Sequence, residues 1–330
     1  MTPASRSIRP ASLVLFYAMF LVGLGGIGEV LVRVYLAFDT VYDVEMTRYS
    51  NDVKMPSDAG MVFEHRPQAT ARLMNVDIEI NSDGLRDQEY PIDSEHASRM
   101  IFLGDSLTLG WGVEREDTFE YLLEERFNEQ GRERVEILNF GIGNYNTAQE
   151  VALFVKKGLK YAPDKVVVFY FVNDAEPTPQ VSGWEVLGHS RLITFYWSRV
   201  NILISRYSGG ADFLGQYGDL YQEGQPGWEA TKAAFKELRE LCARNGIELQ
   251  VVLLPELHDL KTPPFRRQYA MVEQFLMAEA ISVLDLTPSF SVFDDDPTNL
   301  WVALDDAHPN SQAHRLIADF SQQFISPWSE

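Results

Sequence analysis

"IFLGDSLTLGWGV", residues Ile101 to Val113, is the stretch on which the reading of the chain turns. A short apolar run ends in Gly104-Asp105-Ser106, and Gly110 and Gly112 follow soon after. If the run is a strand of a parallel sheet, Ser106 sits at the carboxyl end, where such folds place their sites. It would then be a nucleophile, provided that other segments supply a base, an orienting acid and donors for an oxyanion. Without them, Gly-Asp-Ser is an ordinary turn.

Outward from this stretch the chain alternates strands with helices. "RMIFLG", "VEILNFG", "KVVVFYFV", "ELQVVLLP" and "ISVLDL" are nearly continuous apolar runs, which suits a parallel sheet covered on both faces. Between the first two lies "TFEYLLEERFNEQG", with Phe119, Leu122, Leu123 and Phe127 on one helical stripe and Gly131 as a stop. "GWEATKAAFKELRELCARNG" carries Phe235, Leu238, Leu241 and Cys242, and ends at Gly246. The closing "AHRLIADFSQQF" carries Leu316, Ile317, Phe320 and Phe324. This rhythm predicts a doubly wound α/β sandwich over residues 99–330. An insertion at 176–226, rich in aromatics and interrupted by glycines, follows the third strand. It reads equally as a binding lid or as a helix packed on the core.

The 330 residues are 45% hydrophobic, enough for one sizeable core. Lys and Arg number 28 against 48 Asp and Glu, a net charge of −20, which repels nucleic-acid backbones and excludes that class of partner. Cys242 is the single cysteine, so no intrachain disulfide forms, and its helical setting reads as a buried core thiol.

The N-terminus departs from this acidic character. "ASLVLFYAMFLVGLGGIG", Ala11 to Gly28, holds no charge. A helix of about 20 residues at about 1.5 Å per residue spans about 30 Å, the thickness of the hydrocarbon core. Arg6 and Arg9 precede the run, and Asp39, Asp43 and Glu45 follow it. The positive-inside rule therefore puts the N-terminus in the cytoplasm and the rest of the chain across the membrane. The run is long for a signal peptide and lacks a small-x-small site at its end, so the expectation is an uncleaved anchor over residues 1–36. Gly23, Gly25 and Gly28 spell G-x-G-x-x-G, but they lie within one unbroken apolar span and not between a strand and an amphipathic helix, so no nucleotide site is expected. Residues 37–98 contain no long helical pattern; Val76, Ile78 and Ile80 alternate with polar residues, which predicts a small β-rich extension.

Four patches fall where strands should end or the last helix begin. They are Gly104-Asp105-Ser106, "NFGIGNYNT" (Asn139 to Thr147), "FVND" (Phe171 to Asp174) and "DDAHPN" (Asp305 to Asn310). Taken together and in this order, they resemble the blocks of the SGNH (GDSL) hydrolase superfamily, over about residues 99–325. The resemblance implies a flavodoxin-like three-layer α/β/α sandwich with a five-stranded parallel sheet. It also implies hydrolysis or transfer of esters, often acyl groups on carbohydrates. Ser106 matches the family's nucleophile, Asp305 and His308 its D-x-x-H block, and Asn173 the asparagine of G-x-N-D. That spacing favours Asp305 over the adjacent Asp306.

Elementary chemistry agrees with these roles. A serine hydroxyl needs a base to take its proton, and imidazole suits the task; Asp305 would fix the tautomer of His308. The Asn173 amide, the Ser106 N–H and one N–H of the second patch would hold the oxyanion. The family's oxyanion glycine falls on Asn144, with Gly143 just before it, so either residue is a candidate donor. Phe171 replaces the glycine of G-x-N-D, which alters packing without removing Asn173. Asp105 reads as structural, and Asn310 or Ser311 as the cap of the last helix. Trp111 would line an acyl pocket or pack in the core. The histidines show no metal spacing, and neither metal nor organic cofactor is implied.

"INSDGLRDQEYP" and "NFGIGNYNTAQE" resemble stretches of membrane-anchored bacterial SGNH proteins associated with exopolysaccharide or envelope modification. The resulting expectation is a single-pass inner-membrane protein with a periplasmic or external esterase domain. It would form an acyl-enzyme at Ser106 and pass the acyl group, acetyl first among the candidates, to water or a sugar hydroxyl. A membrane-bound acyltransferase would be a fitting acyl-donating partner. The rival readings are a non-catalytic scaffold of an envelope complex and a lipid esterase.

Overall fold

The computed structural model describes residues 10–58, 60–93, 97–131, 133–179, 189–207, 213–293 and 296–328. Helix α1 (Pro10–Tyr35) is long and apolar enough to cross a membrane, and none of its most apolar stretch is buried against the chain. A short link leads to α2 (Tyr42–Asp52) and then to two antiparallel hairpins, β1 (Lys54–Pro56) with β2 (Phe63–His65) and β3 (Thr70–Leu73) with β4 (Val76–Glu79). Helix α2 is a correction to the expectation of no long helix between 37 and 98. It buries only Val44, Glu45 and Tyr49 and is tied down by side chains: Glu45 accepts from the Met74 N–H at 3.0 Å, and Arg48 donates to the Arg72 carbonyl at 3.0 Å. Tertiary contacts, not an apolar stripe, hold it helical.

Strand β5 (Ala97–Gly104) runs into α3 (Ser106–Leu109), followed by α4 (Phe119–Glu129), β6 (Arg134–Gly141), α5 (Thr147–Leu153) and β7 (Lys165–Tyr170). Then come α6 (Arg191–Tyr207), α7 (Phe213–Leu220), α8 (Pro226–Asn245), β8 (Glu248–Leu253), α9 (Arg266–Ala278), β9 (Ser282–Asp285) and α10 (Thr287–Phe290). The hairpin β10 (Trp301–Ala303) with β11 (Asp306–Pro309) and the helix α11 (Ser311–Ser321) close the chain.

The five expected strands form one parallel sheet in the order β6-β5-β7-β8-β9. Alternation within β5 shows why the runs are apolar throughout. Ile101 and Leu103 pack with Val151, Phe235, Leu238 and Val272 of α5, α8 and α9; Met100 and Phe102 pack with Phe119, Leu123 and Ile317 of α4 and α11. The result is the expected three-layer sandwich. Register then places the site: Gly104 lies opposite both Gly141 and Phe169, so three strands end level at one edge.

A third apolar cluster joins Tyr49, Val53, Leu73, Ile78 and Ile80 to Leu109 and Trp111. Buried Arg86 donates to the carbonyls of Leu109, Gly110 and Val113 at 3.0, 2.6 and 2.7 Å. The β-rich segment is thus packed onto the loop that follows Ser106. Of the insertion, residues 180–188 and 208–212 lie outside the described residues; α6 rests on α1 and α2.

Candidate active site

Gly104 has no room for a side chain, because a Cβ there would come within 2.1 Å of Thr108 Oγ1. This lets β5 turn at once into α3. Asp105 caps the turn: its Oδ1 accepts the Leu107 N–H at 2.8 Å, and its Oδ2 accepts from Asn173 Nδ2 at 2.9 Å. Burial pushes the Asp105 carboxyl above the usual carboxylate range. Ser106 follows at the first turn of α3, where its N–H has no intrahelical acceptor.

The Ser106 Oγ lies 2.8 Å from His308 Nε2. On the other side of the ring, His308 Nδ1 meets Asp306 Oδ1 at 2.5 Å, and the His308 backbone N–H donates to the same oxygen at 3.1 Å. Trp111 Nε1 donates to Asp306 Oδ2 at 2.9 Å. Burial raises the Asp306 carboxyl, but the hydrogen bond and charge of His308, with Trp111, outweigh it and hold the group below its ordinary range.

The structure thus corrects the expectation that Asp305 orients the imidazole. Asp306 and His308 are two apart on β11 and share a face, whereas Asp305 has the opposite parity and lies in the turn before the strand. Asp305 points to the Tyr42 backbone N–H, 3.4 Å away.

Of the two second-patch candidates, Gly143 is withdrawn. Its N–H donates to Tyr49 Oη at 3.0 Å, and its carbonyl accepts from Lys54 Nζ at 2.6 Å. Asn144 takes a left-handed φ of 66°, which asparagine tolerates better than most side chains, so it stands where the family has glycine. Its Oδ1 accepts from Lys54 Nζ at 3.1 Å, while its backbone N–H meets no acceptor among the described residues. Asn173 spends one amide hydrogen on Asp105 and keeps the other. The Phe171 N–H donates to Asp174 Oδ2 at 3.1 Å, which fixes the turn that presents Asn173.

The patch is braced from the N-terminal segment. Tyr49 Oη lies 2.5 Å from His65 Nε2, and His65 Nδ1 lies 3.0 Å from the Gly84 carbonyl. A proton on Nδ1 satisfies the whole chain: Gly143 N–H to Tyr49, Tyr49 O–H to His65, His65 N–H to Gly84. Burial, aided by Lys54, pulls the His65 imidazole down to about 3, in keeping with a neutral ring. Burial also drives the Lys54 amine well below its ordinary value.

The sequence pattern offers a signal for Asp306, namely the strand parity of β11. It offers none for Tyr49, Lys54 and His65, which lie far upstream. Trp111 is buried, yet its indole is spent on Asp306 and not on an acyl pocket, and Tyr42 stands with its ring centroid 5.6 Å from that of His308. Asn310 caps α11 through its Oδ1.

The site opens into a cavity of about 540 Å³ lined by Ser106, Asn144, Asn173 and His308, with Glu176, Tyr217 and Glu256 on its walls. Among the described residues, no three His, Cys, Asp or Glu side chains converge as a metal site would require.

Residues 102–316 match the GDSL-like Lipase/Acylhydrolase family. No curated protein sequence matches the chain. Among solved structures, the chain is similar to an acetyl xylan esterase, AlAXEase, at 17% identity and a TM-score of 0.44, covering 69% of this chain and 99% of that one. It is similar to a two-domain esterase active on acetylated mannans at 16% identity and a TM-score of 0.46, over 69% of this chain and 49% of that one. It is also similar to a catalytic mutant of an acetylxylan esterase from Geobacillus stearothermophilus, at 14% identity and a TM-score of 0.45, over 69% and 94% of the two chains.

Proposed function

The chain belongs to the GDSL-like lipase/acylhydrolase family, and we propose that it cleaves acyl esters of carbohydrate through Ser106, His308 and Asp306. The observation that carries this reading is the continuous line from Ser106 Oγ through both nitrogens of His308 to Asp306. His308 Nε2 takes the Ser106 proton as Oγ bonds to the ester carbonyl carbon. Asp306 holds the Nδ1 proton in place and stabilises the imidazolium that forms. The N–H groups of Ser106 and Asn144 and the free hydrogen of Asn173 Nδ2 receive the oxyanion. As the intermediate collapses, the C–O bond to the alcohol breaks and His308 returns the proton to that oxygen. An acyl-Ser106 remains. Water, or a sugar hydroxyl in a transferase, then gives its proton to His308 as its oxygen bonds to the acyl carbon; the bond from that carbon to Ser106 Oγ breaks, and His308 returns the proton to Oγ.

The cavity wall favours a carbohydrate over a phospholipid. Glu176, Glu256 and Asp305 line it, and carboxylates accept hydrogen bonds from hydroxyls but repel phosphate. Tyr217 and Tyr42, also on the wall, offer aromatic faces to a sugar ring. Helix α1 would hold this domain at a membrane as an uncleaved anchor, with the domain on the far side from the cytoplasm. The anchor also suits a membrane-embedded acyltransferase that hands over the acyl group.

The test uses the full chain in detergent micelles. Hydrolysis of an activated acetyl ester, and labelling by a fluorophosphonate, should be lost in Ser106→Ala, while hydrolysis falls steeply in His308→Ala. A folded wild-type protein that neither turns over the ester nor labels would favour the scaffold reading. A preference for long acyl chains over acetyl would favour the lipid esterase.

A further inference from the structure

Tyr42, the first residue of α2, packs on the catalytic imidazole. Its ring centroid lies 5.6 Å from that of His308, with the two planes 33° apart. It also meets Trp111 edge to face, at 6.4 Å between centroids. The third apolar cluster holds the ring in place, and the Tyr42 N–H donates to Asp305 Oδ2 at 3.4 Å. The hydroxyl, by contrast, forms no hydrogen bond among the described residues, although the residue lines the cavity. Burial, and then the nearby acids Asp306, Asp105, Asp43 and Glu176, push the phenol above its ordinary range, so it keeps its proton. Glu176 lines the same cavity: its Oε1 accepts from Tyr217 Oη at 2.6 Å, and its Oε2 accepts from none of the described residues.

We propose that Tyr42 and Glu176 form the subsite for the alcohol half of the ester, holding a sugar's hydroxyls with the phenol as donor and the carboxyl group as acceptor. The inference deepens the reading of the site as a carbohydrate esterase and rests on it. The chemistry divides the cavity in two. The ester carbonyl oxygen must sit among the Ser106 and Asn144 N–H groups and the Asn173 amide. The alcohol oxygen must meet His308 Nε2, which returns the proton to it. The wall beside the imidazole therefore touches the alcohol and not the acyl chain, and Tyr42 is packed on that ring.

A phenol suits a sugar in two ways. Its ring packs on the C–H face of a pyranose, and its O–H donates to a hydroxyl. Glu176 adds the acceptor that such a hydroxyl also needs. Tyr42 lies upstream of residues 102–316, the extent of the family match, so this part of the site comes from the segment that follows α1 and not from the family's own fold.

The test measures kcat/KM of the full chain in detergent micelles on two kinds of acetate. One is the monoacetates of methyl glucoside, mannoside and xyloside; the other is methoxyethyl acetate. Both release an ordinary alcohol and need the same proton from His308, but only the sugars bring a ring and further hydroxyls. The readout is the ratio of the best sugar ester to methoxyethyl acetate. A general loosening of His308, or a loss of folded protein, cancels from that ratio. In Tyr42→Phe, which keeps the ring, the ratio should fall about 2–10-fold, the worth of one hydrogen bond between neutral groups. Glu176→Ala should lower it by at least as much. A ratio unchanged in either variant, with a wild type that cleaves both kinds of ester, overturns the subsite and leaves the esterase reading standing. A wild type that cleaves methoxyethyl acetate but none of the sugar esters overturns the carbohydrate reading and the subsite with it. A wild type that cleaves neither overturns the esterase reading itself.

Discussion

Trp111 Nε1 donates to Asp306 Oδ2 across 2.9 Å, so the carboxylate behind His308 is held at both oxygens. One oxygen is committed to the imidazole and the other to a buried indole, which leaves the carboxylate no freedom to rotate. The pair makes Asp306, and not Asp305, the group that sets the tautomer of His308. In Asp306→Asn the amide can present an N–H to Nδ1 and stabilise the wrong tautomer, so kcat should fall by about 10⁴-fold. Asp305→Asn should leave kcat nearly unchanged. Trp111→Phe removes one hydrogen bond to a charged group, about 1.5–3 kcal/mol, and should lower kcat by no more than about 10–100-fold. Steady-state kinetics on the three variants ranks the carboxylates. Equal losses at 305 and 306 would sink the assignment.

A second comparison separates the oxyanion donors. Asn173 offers a side-chain hydrogen, so Asn173→Ala should cost about 10²–10³ in kcat with little change in KM. Asn144 offers its backbone, and Asn144→Gly keeps both the N–H and the left-handed φ of 66°. That variant should retain most of the wild-type kcat. If it loses as much as Asn173→Ala, the Asn144 side chain carries the contact instead.

How much of this could be read beforehand follows from where each residue gets its position. The sheet was legible because four of its strands are buried on both faces along most of their length, so their apolar runs stand out whatever their tertiary partners; the edge strand β9 is only half-buried. Ser106 and Asn173 follow strand ends that the register brings level, and that edge can be inferred from the fold. The choice between Asp305 and Asp306 needed more: it depends on Asp306 beginning a short strand, and a spacing rule carried over from the family says nothing about parity. Helix α2 and the trio Tyr49, Lys54 and His65 were not legible. Lys54 and His65 sit in strands of three residues, too short to show a period, Tyr49 sits on a helix without an apolar stripe, and the loop that Tyr49 and Lys54 hold lies far along the chain.

Two buried histidines should make stability depend on pH. His314 accepts the Phe119 N–H at 3.1 Å, and burial, with Arg86 and His308, pulls its imidazole from the usual 6.5 to about 3; His65 is drawn down to the same value. Both stay neutral in the fold, while the unfolded chain takes up their protons below 6.5. The stability they contribute is therefore full above that pH and is lost as the pH falls towards 3, by up to about 1.4 kcal/mol per histidine per pH unit. Buried acids such as Asp105 and Asp174, whose carboxyls burial raises, act in the opposite sense. The difference between wild type and His314→Gln isolates the effect. Urea midpoints in micelles should show the wild-type advantage at pH 7.5 shrinking steadily by pH 4.5. An advantage independent of pH would mean that the imidazole takes up its proton at the same pH in the fold as in the unfolded chain.

The last prediction concerns the brace on the second patch. Tyr49 and Lys54 hold the two ends of one residue: the phenol takes the Gly143 N–H, and the amine takes its carbonyl along with Asn144 Oδ1. Tyr49→Phe strands a buried N–H and the ring nitrogen of His65, at a cost of about 1–3 kcal/mol. Lys54→Met strands the carbonyl but removes a poorly solvated amine, so its net cost should be smaller. Both should lower kcat more than they raise KM, because each loosens the peptide that presents the Asn144 N–H to the oxyanion. Acting on one rigid unit, they should not be independent: the double variant should lose less than the sum of the singles, with a coupling of about 0.5–3 kcal/mol in both stability and kcat. Additive losses would mean that the two side chains support separate parts of the protein, and the brace would then have no bearing on the oxyanion.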